Sequence, residues 1–76
     1  SEHTLNINHE GNALELVYEF NGTYADWQDG GHEMYVVEVY ENGSSEDTLD
    51  NWDCDLLDKL VEDNVDLGQI AIEQGM

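Results

Sequence analysis

Seventy-six residues make one small domain, spanning 1–76, and they carry nineteen Asp and Glu against one Lys and no Arg, a formal net charge of −18. Direct nucleic-acid binding needs cations to displace the counterions around phosphate, and an anionic membrane surface needs them too, so both partner classes are excluded. No apolar run approaches the ~18 residues of a membrane-spanning helix.

High net charge favours disorder, but the rest of the composition opposes it. Apolar residues make up 39% of the chain, with two Trp, four Tyr and one Phe, and Pro is absent. A folded domain with a small core, tolerating strong self-repulsion, is expected. The opening Ser1-Glu2-His3 does not read as a signal peptide. The lone Cys54 has no internal disulfide partner, so a cytoplasmic protein is expected.

The chain begins as a hairpin. From His3 to His9, Leu5 and Ile7 alternate with Thr4, Asn6 and Asn8, the period of a strand. A second run, Ala13 to Phe20, places Leu14, Leu16, Tyr18 and Phe20 on one face and Ala13, Glu15, Val17 and Glu19 on the other. Glu10-Gly11 between them reads as a two-residue turn. That turn pairs His9 with Asn12, Ile7 with Leu14 and Leu5 with Leu16, so apolar residues meet on one face.

Asn21-Gly22 reads as a second hairpin signal. Thr23 to Gln28 is then expected as a short strand; an excursion carrying Tyr24 and Trp27 is the alternative. Those two rings form either an exposed contact patch or ordinary packing. His32 to Glu41 is a strong strand, apolar on both parities, ended by Asn42-Gly43-Ser44.

The last third switches to a helical period. Leu49, Trp52, Leu56, Leu57, Leu60 and Val61 form one stripe, with Asp47, Asp55, Asp58 and Glu62 opposite. Asp53 falls within the apolar arc; an N-cap at Asp50 would place it in the first turn, where carboxylates are favoured. Ser45 or Thr48 could cap an earlier start. Lys59 is placed to pair with Asp55 or Glu62. A shorter helix is expected after Asp66, with Gln69 in capping-box position, running through Ile70, Ala71 and Ile72 to Gly75. The fold class is therefore α+β: an antiparallel sheet of three or four strands, an N-terminal meander, packed against one main C-terminal helix plus a short terminal helix.

Catalysis finds little support in these residues. Asp29-Gly30-Gly31 precedes a strand and does not form a phosphate loop. Cys54 lies within a predicted acidic helix, flanked by Asp53 and Asp55, a poor setting for a nucleophile. Carboxylates are everywhere, so no pair of them is diagnostic, and the chain offers little room for a pocket. His3 and His9 lie about 20 Å apart along one strand and cannot share an ion; His32 could join either only through tertiary folding. Exposed strand-end histidines are expected instead. Asp50, Asp53, Asp55 and Asp58 lack the spacing and central Gly of a calcium loop. No enzyme activity, no cofactor and no dedicated metal site are expected.

The charge itself remains. Ordinary surfaces intersperse both signs. Alternate strand residues about 6.6 Å apart, and helix residues about 5–6 Å apart, can present carboxylates as an array resembling phosphates. Glu15 and Glu19 on the strand face, with Asp47, Asp55, Asp58 and Glu62 on the helix, are the candidate partner-binding residues. The partner would be a basic nucleic-acid-binding protein, met by a monomer or a homodimer. Two other pressures yield the same composition: a basic protein patch bound without imitation of DNA, and adaptation to high salt, against which stand the absence of Arg and the seven Asn.

In size, acidity and sheet-plus-helix pattern the whole chain resembles the small phage-encoded DNA-mimic inhibitors, including anti-CRISPR, anti-restriction and uracil-glycosylase-inhibitor proteins. The resemblance is compositional and carries no motif or site residue. It implies an inhibitor that blocks the nucleic-acid groove of a CRISPR effector, a restriction enzyme or another host DNA-binding protein, acting in the host cytoplasm.

Overall fold

The computed structural model describes residues 1–74. Strands β1 (Glu2–His9), β2 (Asn12–Asn21) and β3 (Glu33–Glu41) form an antiparallel sheet in the order β1-β2-β3. Helix α1 (Tyr24–Asp29) lies in the connection from β2 to β3. A 3-10 turn (Leu49–Asn51) precedes helices α2 (Cys54–Asn64) and α3 (Leu67–Gln74). This is the α+β arrangement expected, with three strands.

The first hairpin has the predicted register: His9 faces Asn12, Ile7 faces Leu14 and Leu5 faces Leu16. Glu10 and Gly11 both take positive φ, 49° and 83°. That is the primed turn whose twist matches the strands it joins, and glycine enters its second position without steric cost.

The Asn21-Gly22 reading is corrected. No tight hairpin forms, and the segment expected as a strand is helix α1, with Thr23 as its extended N-cap. Thr23 Oγ1 accepts from the Asp26 N–H at 3.1 Å, and the Thr23 N–H donates to Asp26 Oδ2 at 2.9 Å. This reciprocal capping box nucleates α1, and its local hydrogen bonds outweigh the strand propensity of Tyr24 and Trp27. The two rings are packing residues. Their centroids lie 5.5 Å apart, both border the core, and Trp27 rests on α3 at Gly68. A Cβ at Gly68 would stand 2.9 Å from Trp27 Cη2. Gly68→Ala is therefore expected to destabilise the domain by about 1 kcal/mol, the overpacking cost of roughly 1–3 kcal/mol exceeding a helix-propensity gain of at most about 1. Thermal melts check the direction; a higher Tm would mean that α1 and α3 do not pack this way.

β3 is apolar on both parities because it contains a bulge. Val17 faces Glu38 while its neighbour Tyr18 faces Val36, so Val37 is the extra residue. Met34 and Val36 point inward before it, Val39 and Glu41 after it. The extra residue switches the inward parity within one strand.

The core lies on one sheet face. Leu14, Leu16, Tyr18 and Phe20 of β2, with Val39 of β3, are buried against Leu57 and Val61 of α2 and Leu67 and Ala71 of α3. The predicted stripe is corrected at its start. Leu49 belongs to the 3-10 turn, and α2 begins only at Cys54, capped by Asp53, whose side chain accepts from the Asp55 N–H at 3.3 Å. The cap is Asp53 rather than Asp50, which accounts for a carboxylate in the apolar arc. Thr48 precedes the 3-10 turn without a side-chain cap; its hydroxyl donates to Glu41 instead. Leu56 is half-buried. Asp66 caps α3, accepting from the Gln69 N–H at 3.2 Å. The predicted end at Gly75 lies outside the described residues.

Candidate functional site

Among the described residues all three helices sit on the core side and leave the other sheet face open. The registers place the even positions of β1 and the odd positions of β2 on it, with Glu33, Tyr35, Glu38 and Tyr40 of β3. Its carboxylates are Glu2, Glu15, Glu19, Glu33 and Glu38. Glu2 stands directly opposite Glu19, Val17 opposite Glu38 and Glu15 opposite Tyr40. Lys59, the single Lys or Arg of the chain, lies on α2, away from this face.

Tyr40 reports the negative field here. Its hydroxyl donates to Glu38 Oε2 at 2.6 Å. That bond, then desolvation, then the charges of Glu38, Asp47 and Glu15 push the phenol pKa up to about 12. A hollow of about 350 Å³ opens beside Glu15 and Tyr40, bordered by Gly43 and Ser44. At the other end Tyr35 is 47% exposed, one of two large hydrophobic residues at the surface among the described residues. An exposed aromatic flanked by carboxylates suits a docking face.

The six predicted binding residues separate. Glu15 and Glu19 do share the open face, where the Ser1 amino group lies 2.9 Å from the Glu19 carboxylate. Asp47 is not on a helix, which corrects its assignment. It bridges to Tyr40 at the edge of β3, where Oδ1 accepts from the Val39 N–H at 3.0 Å and the Leu49 N–H at 2.9 Å. Asp58 is half-buried rather than facing solvent; its carboxylate lies beside the Val36 N–H, again at the β3 edge. Asp55 and Glu62 are exposed on α2. Lys59 pairs with Asp63, four residues on, at 3.4 Å rather than with Asp55 or Glu62.

Asp47 thus satisfies a backbone donor of an edge strand, and Asp58 lies beside another. The ionised form of Asp58 is disfavoured: desolvation comes first, and Glu62 and Asp55 add repulsion that the Val36 N–H only partly offsets, so its pKa is raised. A raised carboxylate pKa favours folding only when the group is protonated; that contribution is lost as pH rises through the folded-state value. Asp58→Asn, which keeps an oxygen for the Val36 N–H, is expected to raise Tm at neutral pH by on the order of 2 °C. The gain should vanish below the ordinary carboxylate range. Melts at neutral and acid pH check this, and a gain that persisted in acid would point to some cause other than charge.

The sequence reading missed Glu2, Glu33 and Glu38 on the open face. Glu2 shares the parity of Thr4 and Asn6, and that parity was the available signal. Glu33 and Glu38 fall on one face only because of the bulge at Val37.

The histidines are packed rather than exposed. His3 stacks on Tyr18 and His32 on Phe20, each with centroids 5.5 Å apart, and His9 tilts against Trp52 at 6.1 Å. Among the described residues no three His, Cys, Asp or Glu side chains are grouped to hold a metal ion. Cys54 is exposed at the first residue of α2, not inside it. No helix of the described residues is long and apolar enough to cross a membrane. Comparison of the chain with protein-family models, curated proteins and solved structures finds no match.

Proposed function

We propose that the protein is a non-enzymatic inhibitor whose open sheet face occupies the basic nucleic-acid-binding groove of another protein. The observation that carries this reading is the face itself: Glu2, Glu15, Glu19, Glu33 and Glu38 stand on a sheet surface that no helix covers and whose strands contain no Lys or Arg. Glu2 and Glu19 face each other across β1 and β2 at about 5 Å, and Glu15 and Glu19 stand about 13 Å apart along β2, so the face offers a groove's cations a spread array of negative charge. Counterions leave the basic surface, and association is steered and fast.

The test is capture from bacterial lysate on immobilised protein, followed by elution with a short DNA duplex at moderate salt. Release of a nucleic-acid-binding protein by the duplex supports competition for one groove. Retention that the duplex cannot reverse overturns it. The complex is expected to weaken steeply as salt rises. Tyr35 favours a second reading, a basic protein patch gripped without imitation of DNA, because an exposed aromatic adds contact area that phosphates lack. Retention insensitive to duplex selects that reading.

A further inference from the structure

We propose that β1 pairs antiparallel with β1 of a second copy of this chain, joining two three-stranded sheets into one of six. The two edges of the sheet differ. At the β3 edge, Asp47 accepts from the Val39 N–H, the Thr48 N–H donates to the Val39 carbonyl at 2.8 Å, and the loop after β3 bridges back at Tyr40. That edge is closed to another strand. The β1 edge is not.

The hairpin dictates which β1 groups are free. In a two-residue hairpin the residues flanking the turn exchange both hydrogen bonds, and the pattern then alternates. His9, Ile7, Leu5 and His3 therefore bond to β2, and the series continues at Ser1, which exchanges bonds with Phe20 at 3.0 and 2.9 Å. The N–H and C=O groups of Glu2, Thr4, Asn6 and Asn8 point away from the sheet. Among the described residues no hydrogen bond reaches them, and β1 is eight residues long. An open edge of that length is a pairing template.

Charge decides the occupant and the register. Thr4, Asn6 and Asn8 are neutral, so the middle of this edge is a place where a second chain of charge −18 can approach. Partners across an antiparallel pair share a face, so even residues meet even ones. A two-fold axis at Asn6 would set Glu2 against Glu10. An axis at Leu5 sets Glu2 against Asn8 and Thr4 against Asn6, with no two carboxylates opposed, and each Asn amide can donate to the facing Glu2. It also places the half-buried Leu5 against its own copy, and Ile7 against His3, at the closely spaced non-hydrogen-bonded positions. Of these two registers, the one about Leu5 is the self-complementary one.

An edge this short lies at the low end of interface sizes, and repulsion between the acidic chains opposes it. Sedimentation equilibrium of the full chain, from about 10 μM to about 1 mM at roughly 0.05 and 1 M salt, is the test. The expected result is a monomer–dimer equilibrium that strengthens with salt, the opposite of the salt dependence of a complex with a basic partner. Failure here and failure of the proposed function are thus read separately. Asn8→Lys, facing Glu2 of the other copy, should tighten the dimer severalfold, and Asn8→Glu should loosen it by as much. Both side chains lie on the solvent face, so the fold is unaffected. Thr4→Pro removes an outward donor without touching the β2 ladder and should weaken the dimer at least tenfold. A mass that stays at 8.6 kDa throughout, or a dimer indifferent to Asn8 and Thr4, overturns the proposal.

Discussion

Phe20→Ala is expected to lower the stability of the domain by about 3–5 kcal/mol, the usual cost of deleting a buried ring. Phe20 is fully buried, and its ring stacks on His32 at 5.5 Å. It sits on β2, whose neighbours on both sides hydrogen-bond to it, so the cavity cannot close by moving one loop. A domain of this length has about 4–11 kcal/mol in total, and a net charge of −18 places it toward the lower end. The loss therefore removes most of the stability: Tm should fall by roughly 12–40 °C. Circular dichroism melts measure this at moderate salt. Ile72→Ala is the control, because Ile72 is 43% exposed and a surface change stays within about 0.5 kcal/mol. A Phe20→Ala protein melting beside its parent would place the core elsewhere.

How much of this was legible beforehand depended on how local the signal was. The β1–β2 register followed from turn chemistry and alternation, which act within a few residues and agreed with each other. Helix α3 followed from Asp66 and Gln69 in the same way. Helix α1 is equally local, but Thr23-Tyr24-Ala25-Asp26 carries two competing signals, and the capping box overrides the strand propensity of its aromatic residue. The late start of α2 had a different origin. Asp47 is drawn to the unpaired Val39 N–H of an edge strand, and Asp53 takes the cap; both are tertiary facts. The bulge at Val37 was the least visible element. It leaves no mark in composition, yet it turns Glu38 outward onto the open face and Val39 inward to the core. A candidate site spread over a sheet inherits every register error, which is why Glu15 and Glu19 were legible and Glu33 and Glu38 were not.

Those two halves of the acidic surface give the second large effect. Glu15→Lys with Glu33→Lys changes opposite ends of the open face, at residues that are exposed and lie on the outward parity of their strands. Asp55→Lys with Glu62→Lys changes α2, also at exposed residues. Each pair alters the net charge by the same amount, so any effect of overall charge on solubility or diffusional steering is common to both. If the open face meets the partner's cations, the sheet pair brings like charges into contact. That costs several kcal/mol, and the affinity for the captured basic protein should drop by on the order of 100-fold. The helix pair should stay within a few-fold, because long-range attraction between separated charges is screened beyond about 8–10 Å at physiological salt. Equilibrium binding at one fixed salt concentration, with melts to show that both variants remain folded, decides the matter. The reverse ranking would move the interface to α2. Equal losses would mean that only total charge matters, and the sheet face would then be one part of a diffuse acidic surface with no groove-shaped counterpart.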